Sequence, residues 1–336
     1  MPAVSVIMGV CNSAQFLGAA VASLQAQTLT DWELVIVDNG STDGGVAALL
    51  ARQPDSRIRV FHHLKPLGPG PALAAACREA CGRYLAVLDS DDIAMPRRLE
   101  IQHAYLELRP EVIMLGTAVE LIDEASKVLG REPHVAVHED IFTVTAYFHA
   151  LRHSSVMFRR ELLERVQYRG MLGAAADHDF FARTAEVGRI EVLPAPLCRY
   201  RLQAGSVSHR HDQGTISRAL VCMLTHRRRR GLPENHDFWV DKFSTAKAEI
   251  QGDVRRANLF CARVFAAEGM HDLAAIFAWH AMRAGAYFAG VARYGWATLG
   301  GLRRSRGVAR ATIKGWLKEP VHQLVRAGGA PDRLQF

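Results

Sequence analysis

Three carboxylates close a hydrophobic run in Val87-Leu88-Asp89-Ser90-Asp91-Asp92, with no basic residue among them. Such a cluster repels itself and costs stability unless a cation sits in it. Hard oxygen ligands at this spacing suit Mg²⁺ or Mn²⁺, and an ion so held can carry a diphosphate. The plain alternative is an acidic helix-capping turn ahead of Pro96. A second turn, Asp38-Asn39-Gly40-Ser41-Thr42-Asp43, shifts the balance, because its small polar residues can hydrogen-bond a nucleoside. Together the two turns describe a place for a nucleotide and its diphosphate.

Both turns must be held by strands, and the surrounding pattern supplies them. Short apolar runs alternate with helical spacing over the first 120 residues, as in βα units with a mostly parallel sheet. Val4, Val6, Ile7 and Val10 form the first run, and Leu17, Val21 and Leu24 recur at helical spacing after Asn12-Ser13, which reads as the helix cap. Leu34 to Val37, Ile58 to Phe61 and Tyr84 to Leu88 are the next strands, and an alanine-rich helix fills the stretch from Pro71 to Gly82. Each polar turn therefore follows a strand's carboxyl end, where open α/β sheets collect ligands. A helix from Pro96 to Arg109, a strand at Val112 to Leu115, a strand near Ser155 to Phe158, a helix from Asp177 to Val187 and a strand entering Arg199-Tyr200-Arg201 complete the first part. Beyond Ser208 the spacing is helical throughout, with a joint at Arg227 to Pro233.

In this order the blocks resemble those of the family 2 glycosyltransferases, inverting enzymes of the GT-A fold, over roughly residues 3–208. Val4 to Met8 with Asn12 is similar to that family's opening strand and nucleotide-contacting turn. Ser23 to Thr28 and Glu33 to Asp38 are close to its next helix and strand, Asp38 to Asp43 to its DDGSTD turn, and Leu88 to Asp92 to its LDxDD metal motif. Tyr200-Arg201 with Ser206-Val207-Ser208 looks like its closing segment. The resemblance implies a Rossmann-like GT-A domain at 1–208, followed by a mainly α-helical, basic region at 209–336. It places Asp38 on the nucleobase or ribose, with Val10, Asn12 and Asn39 beside it. Asp89 and Ser90 fall at the ribose or sugar side, Asp91 and Asp89 on Mn²⁺ or Mg²⁺, and Arg201 at the departing diphosphate.

The same resemblance implies a base. Asp177, in Ala176-Asp177-His178-Asp179, matches the aspartate that deprotonates the acceptor, while Asp179 points away from it on a helix. A capping role for Asp177 is the bland alternative. The expected activity is transfer of a sugar, with inversion, from a nucleotide-sugar donor, UDP-linked by preference, to a glycan or lipid-linked acceptor. The competing expectation is a non-catalytic nucleotide-sugar or polyanion binder retaining the fold. A third reading, a dinucleotide-dependent oxidoreductase, fares badly because no GxGxxG follows the first strand. The chain departs from the family pattern at Gly9, Cys11, Asn39, Ala72 to Ala74, Ala176, which stands where a glutamate is usual, and Gln203, which stands where a histidine is frequent.

Charge is divided unevenly. Residues 1–208 carry 20 Lys and Arg against 24 Asp and Glu, whereas residues 209–336 carry 21 against 10. The basic part, with Arg303, Arg304, Arg306, Arg310, Lys314 and Lys318 near Trp316, could meet anionic lipid or be a solvated helix, and the Arg227 to Arg230 run reads as an ordinary solvated face. Nucleic acid is the less favoured polyanion. Arg283 and Arg293 interrupt the apolar stretch 273–302, short of the ~20 residues a spanning helix needs. Met1 to Val10 lacks a secretory leader's basic start, and the six cysteines show no CxxC pair. The expected location is the cytoplasm, peripheral to the membrane's inner face.

Overall fold

A computed structural model describes residues 1–52, 54–132, 137–147, 149–203, 211–250 and 253–283. The chain opens as anticipated, with β1 (Val4–Val10), α1 (Ala14–Gln25), β2 (Trp32–Asn39), α2 (Gly45–Arg52), β3 (Ile58–His63), α3 (Pro69–Glu79) and β4 (Tyr84–Val87). Strands β1, β2 and β4 are almost wholly buried, as central strands covered on both faces must be. Helix α1 buries Phe16, Leu17, Ala20, Val21 and Leu24, the 3.6-residue stripe visible in the sequence.

The chain continues through β5 (Ile93–Ala94), α4 (Arg98–Leu108), β6 (Val112–Ile122), β7 (Val128–Arg131), α5 (His138–Val144), β8 (Met157–Arg159), α6 (Ala176–Val187) and β9 (Arg189–Arg201). The sheet runs β3-β2-β1-β4-β8-β6-β9-β5, with β7 paired to β6. The pairs among β3, β2, β1 and β4 are parallel, as is β6 with β9. Strand β8 enters between β4 and β6 antiparallel to both, and β5 and β7 are antiparallel to their neighbours. The sheet is thus mixed rather than mostly parallel beyond β4. The turn between β6 and β7 is too short for the crossover a parallel neighbour requires.

Two buried side chains of α4 fix the junction of the two halves. The Arg98 guanidinium donates from Nη2 to the carbonyls of Val87 (2.8 Å) and Val156 (3.2 Å). Gln102 Nε2 donates to those of Leu115 (3.0 Å) and Ser155 (2.9 Å). The end of β4, an interior position of β6 and the residues leading into β8 are thereby tied together beside the start of the acidic loop.

Backbone proximity divides the chain into two units: residues 1–142 with 149–203, and the described residues of 143–148 and 204–336. The second is helical as its spacing predicts, with α7 (His211–Arg229), α8 (His236–Ile250), α9 (Val254–Ala267) and α10 (His271–Arg283). Asp253 caps α9, accepting from the Arg256 amide at 2.9 Å. Trp239, Phe243, Cys261 and Phe265 are buried in it. The arginine run is not an idle solvated face: Arg227 pairs with Glu268 (2.8 Å), Arg228 with Glu234 (3.5 Å), and Arg229 reaches the Thr145 hydroxyl (3.1 Å). Among the described residues no helix is long and apolar enough to cross a membrane. Ser206-Val207-Ser208 and the basic residues from Arg303 to Lys318 lie outside the described residues.

Candidate active site

Because β2, β1 and β4 are adjacent and parallel, the turns that follow them leave the same edge of the sheet. Val10 pairs in register with Asp38, so the first turn begins beside the second. Its side chain is buried, which leaves its backbone as the part that can meet a ligand.

The two turns are laced by hydrogen bonds. Asn12, at φ 52°, accepts from the Thr42 amide (2.8 Å), and its own amide donates to Ser41 Oγ (3.2 Å). Asp43 receives the Ala14 amide on Oδ2 (2.8 Å) and the Gly45 amide on Oδ1 (3.0 Å), joining the first residues of α1 and α2. Helix α1 is therefore capped by a carboxylate from the neighbouring turn, and Ser13, expected as part of its cap, makes no capping side-chain bond. Ser13 turns instead to Ser90, with the two hydroxyls 2.7 Å apart, tying the acidic loop to the same edge.

Asp38 is buried at the end of β2. Its Oδ1 accepts from the Ser41 amide (3.0 Å), and its Oδ2 lies 3.0 Å from His62 Nδ1. Burial opposes its charge, yet the bonds from Ser41 and His62 prevail and hold its pKa below the ordinary aspartate value. Asn39 is engaged differently from the expectation: its amide oxygen accepts from the Leu67 backbone at 2.6 Å, pinning the loop before α3.

In the acidic loop the Asp89 amide donates to Ser154 Oγ (3.0 Å), and Asp89 Oδ1 faces His153 Nδ1 at 3.5 Å. Burial again works against ionisation, but His153 and Ser154 keep the Asp89 pKa low. Asp91 goes the other way: burial and then the neighbouring Asp89 charge push it up to about 6, although Gln203 donates to its Oδ2. Asp92, 1% exposed, accepts the Arg201 amide on Oδ1 (2.7 Å), while among the described residues its buried Oδ2 has no hydrogen-bond partner. Burial, Asp91 and Asp89 together raise its pKa well above the usual range. A hard divalent ion would relieve such crowding of negative charge, and Asp89 and Asp91 are carboxylates that could contribute to holding one, although among the described residues no group of three or more His, Cys, Asp or Glu is placed to hold a metal ion.

Arg201, which the resemblance sets at the departing diphosphate, is engaged within the protein. Its guanidinium donates to the carbonyls of Asp91 (2.7 Å), Asp123 (2.7 Å) and Glu124 (3.1 Å) and to Ser126 Oγ (3.0 Å), and it lies over the Phe16 ring. At 2% exposed it braces the acidic loop from below.

Asp177 lies in the first turn of α6, two residues past the N-cap, Ala175. Its Oδ1 accepts from the adjacent His178 amide (2.7 Å), and Oδ2 faces His149 Nδ1 at 3.6 Å. Burial raises its pKa, opposed by His153 and His178 and assisted by the Asp89 charge. His153, buried and 2.9 Å from the Tyr168 hydroxyl, favours the ionised forms of both Asp89 and Asp177. Asp179 is fully buried and paired with Arg183 at 2.6 Å and Arg169 at 3.7 Å. The entry of α6 is held against α3: a Cβ on Gly70 would come within 2.9 Å of Ala176 Cβ, and one on Gly170 within 2.6 Å of Pro71 Cγ.

With this edge in view, comparison with known proteins is decisive. Residues 5–167 match the family described as glycosyl transferase family 2. An uncharacterized glycosyltransferase of Methanocaldococcus jannaschii is 30% identical over 206 residues, 60% of this chain and 71% of that protein. The chain belongs to glycosyl transferase family 2. The succinoglycan biosynthesis protein ExoO of Rhizobium meliloti is 28% identical over 286 residues, 76% of this chain and 81% of its own length. The O-antigen biosynthesis glycosyltransferase WbnJ of Escherichia coli is 28% identical over 183 residues, 54% of this chain and 70% of that protein. Among solved structures, S. aureus TarS 1–349 in complex with UDP-GlcNAc superposes with a TM-score of 0.59 at 16% identity, covering 91% of this chain and 93% of that one. The GT-A fold expected of the family-2 glycosyltransferase is therefore its fold.

The sequence alone pointed to neither His62, His149 nor Tyr168 as neighbours of Asp38, Asp177 and His153. From the sequence, Arg152-His153-Ser154-Ser155 reads either as a lining of the acceptor side or as ordinary strand residues. A histidine one strand away from a key aspartate leaves no spacing signal, because the pairing is made by the sheet.

Proposed function

We propose that this family-2 glycosyltransferase moves a sugar from a UDP-sugar to a hydroxyl of a glycan or lipid-linked acceptor with inversion at the anomeric carbon. The observation that carries this reading is the single edge at which the Asp38 turn, the Asn12 turn and the Asp89 to Asp92 loop are laced together, with Asp177 within electrostatic reach. Relatives named for succinoglycan and O-antigen biosynthesis support a polysaccharide-building role, and the UDP-GlcNAc in TarS supports a uridine donor.

Asp38 receives the nucleobase end, flanked by the backbone of Val10 and by Asn12. Asp89 and Ser90 face the ribose and sugar, and Asp91 with Asp89 would hold Mg²⁺ or Mn²⁺. The ion supplies positive charge for the diphosphate. Arg201 and Gln203 keep the loop in shape to receive it, and Asn39 fixes the wall formed by the loop before α3. The acceptor oxygen attacks the anomeric carbon as its proton passes to an Asp177 oxygen, the bond to the diphosphate oxygen breaks, and the nucleoside diphosphate leaves. One displacement inverts the centre and needs no covalent enzyme intermediate. A carboxylate of raised pKa is the stronger base, and general-base catalysis by a positioned carboxylate is worth about 10²–10⁴-fold in rate. Action at the cytoplasmic face of a membrane, helped by the basic residues of 209–336, belongs to the same proposal.

The test is to incubate the purified chain with UDP-, GDP- and dTDP-sugars, with and without Mn²⁺, and to follow both binding and transfer. Donor binding with transfer or slow donor hydrolysis, lost in Asp177→Ala while binding survives, supports the reading. Donor binding that survives with no turnover in the parent chain and no response to Asp177→Ala identifies a non-catalytic binder instead.

A further inference from the structure

We propose that Tyr168 is a positioning residue for the donor side of the site: acting through the ring of His153, it aims the Asp89 carboxylate. The proposal rests on the reading of Asp89 as the residue at the ribose and sugar of the donor.

Two consecutive residues in the short turn ahead of β8 hold Asp89. Ser154 Oγ receives the Asp89 amide at 3.0 Å, and His153 Nδ1 faces Asp89 Oδ1 at 3.5 Å. An ionised carboxylate only accepts, so the hydrogen between them sits on Nδ1. The serine thus fixes the backbone of Asp89, and the histidine aims its half-buried side chain. A histidine can aim a carboxylate only if its own ring is kept from turning. Its other nitrogen, Nε2, lies 2.9 Å from the Tyr168 hydroxyl. Burial pushes the Tyr168 pKa well above that of a free phenol, so this hydroxyl keeps its hydrogen. It donates to a bare Nε2 or accepts from a protonated one, so the contact holds in either charge state of the ring. With both nitrogens facing fixed groups, a turn of the imidazole would break both contacts at once.

Tyr168 lies in a loop, yet it is buried and held from several directions. Its ring stacks on Phe180 of α6, with centroids 4.2 Å apart and planes 15° from parallel, and meets the His153 ring edge-on at 5.8 Å. The residues on either side of it are tied to the same helix by Asp179. Arg183 donates from Nε to Asp179 Oδ2 at 2.8 Å and from Nη2 to the Gln167 carbonyl, and Arg169 Nε lies 3.7 Å from the same Asp179 oxygen. A fully buried carboxylate is costly to desolvate, and its two arginines clamp the chain immediately before and after Tyr168. This gives Asp179 a part in the site although it touches no ligand. From α6 the clamp fixes Tyr168, Tyr168 fixes His153, and His153 fixes Asp89. The helix that carries Asp177 thereby also governs a carboxylate on the donor side, and such supporting contacts are what hold a functional side chain to its working geometry.

The experiment measures UDP affinity by calorimetry at a fixed Mn²⁺ concentration for the full chain and for Tyr168→Phe, His153→Asn, the double variant and Asp89→Ala, with melting curves confirming folding. Tyr168→Phe keeps the ring and its stack on Phe180 and removes one oxygen. Its UDP affinity should fall about tenfold, the size of a lost hydrogen bond that leaves a buried nitrogen unserved. His153→Asn places an amide donor where Nδ1 stood and needs no support from Tyr168, so it should bind UDP within about threefold of the parent. Adding Tyr168→Phe to His153→Asn should then change nothing further, whereas a loss that was merely structural would appear in full in the double variant. A UDP affinity unmoved by Tyr168→Phe, or a loss of equal size in the His153→Asn background, overturns the proposal. Asp89→Ala separates the two readings. A parent chain that does not bind UDP, or binds it indifferently to Asp89→Ala, overturns the donor reading and this proposal with it; a collapse in Asp89→Ala beside an indifferent Tyr168→Phe removes only the role of Tyr168. Should Tyr168→Phe not fold, Asp179→Asn slackens the clamp from the other end and carries the same cycle: the loss of UDP affinity should appear with His153 present and vanish with His153→Asn.

Discussion

At the scale of single residues, the site holds carboxylates in opposite electrostatic conditions. Asp38 and Asp89 are kept ionised by hydrogen-bond donors, while Asp91, Asp92 and Asp177 are pushed toward the neutral form. A base must be ionised to accept a proton, so kcat should fall as pH drops through the raised Asp177 pKa. Its acid limb should lie above the ordinary aspartate value of about 4. Asp177→Asn should lower kcat by about 10²–10⁴-fold at saturating donor with donor affinity kept. The same shift has a stability sign: in the unfolded chain this group is ionised at neutral pH, and in the folded chain ionisation is disfavoured, so its charge costs stability above its folded pKa. Asp177→Asn should therefore melt at a higher temperature than the parent chain at pH 7 while losing turnover. Asp91→Asn should do likewise in metal-free buffer, and the gain should vanish or reverse when Mn²⁺ is added, because the parent then regains a counter-charge. The acidic loop and the polar turn were legible as residues because their types are unusual at strand ends. Arg201 was legible only as a matching position, and its buried carbonyl contacts come from residues 123 and 124, which no spacing from Tyr200 reveals.

At the scale of elements, strand and helix positions followed from periodicity, since β1, β2 and β4 are continuous apolar runs and α1 is a clean stripe. The entry of β8 antiparallel between β4 and β6 was not readable, because a three-residue strand carries no period and its direction is set by where the chain happens to return. Polar groups buried between elements are a second thing that sequence conceals. Glu33 on β2 receives Ser5 Oγ (2.6 Å), the Cys81 amide (2.6 Å) and Arg59 Nη1 (3.0 Å), tying β1, β2, β3 and the end of α3 together. Burial opposes its charge, but these donors hold its pKa below the ordinary glutamate value. Its stabilisation is thus present above the unfolded pKa and is lost as pH falls through the folded one. Glu33→Gln should cost about 1–3 kcal/mol at pH 7 by denaturant titration, and the gap to the parent should close below about pH 4. The contact of α3 with α6 makes a further prediction. Gly70→Val would drive a side chain into Ala176 and the Gly170 backbone, one residue from Asp177. It should cost about 1–3 kcal/mol and lower kcat more than donor affinity, read by melting and by steady-state kinetics.

At the scale of the whole molecule, formal charge and available charge are different quantities. The arginines at 227–229 contribute to the basic excess of residues 209–336, yet their charges are matched by Glu268 and Glu234 or held at Thr145. Neutralising Arg227 should lower the melting temperature and leave binding to anionic vesicles unchanged; replacing Arg303, Arg304, Arg306 and Arg310 together should weaken vesicle binding in sedimentation assays if these residues reach lipid. The lacing of the Asn12 and Asp43 turns has a consequence for anyone who would exchange donor preference between relatives. Since one aspartate seats the starts of two helices, neither turn is an independent part: a graft of residues 38–45 alone would leave the Ala14 amide facing an ill-matched host. A working transplant would have to carry residues 10–14 along with it, as a lock cylinder travels with its housing.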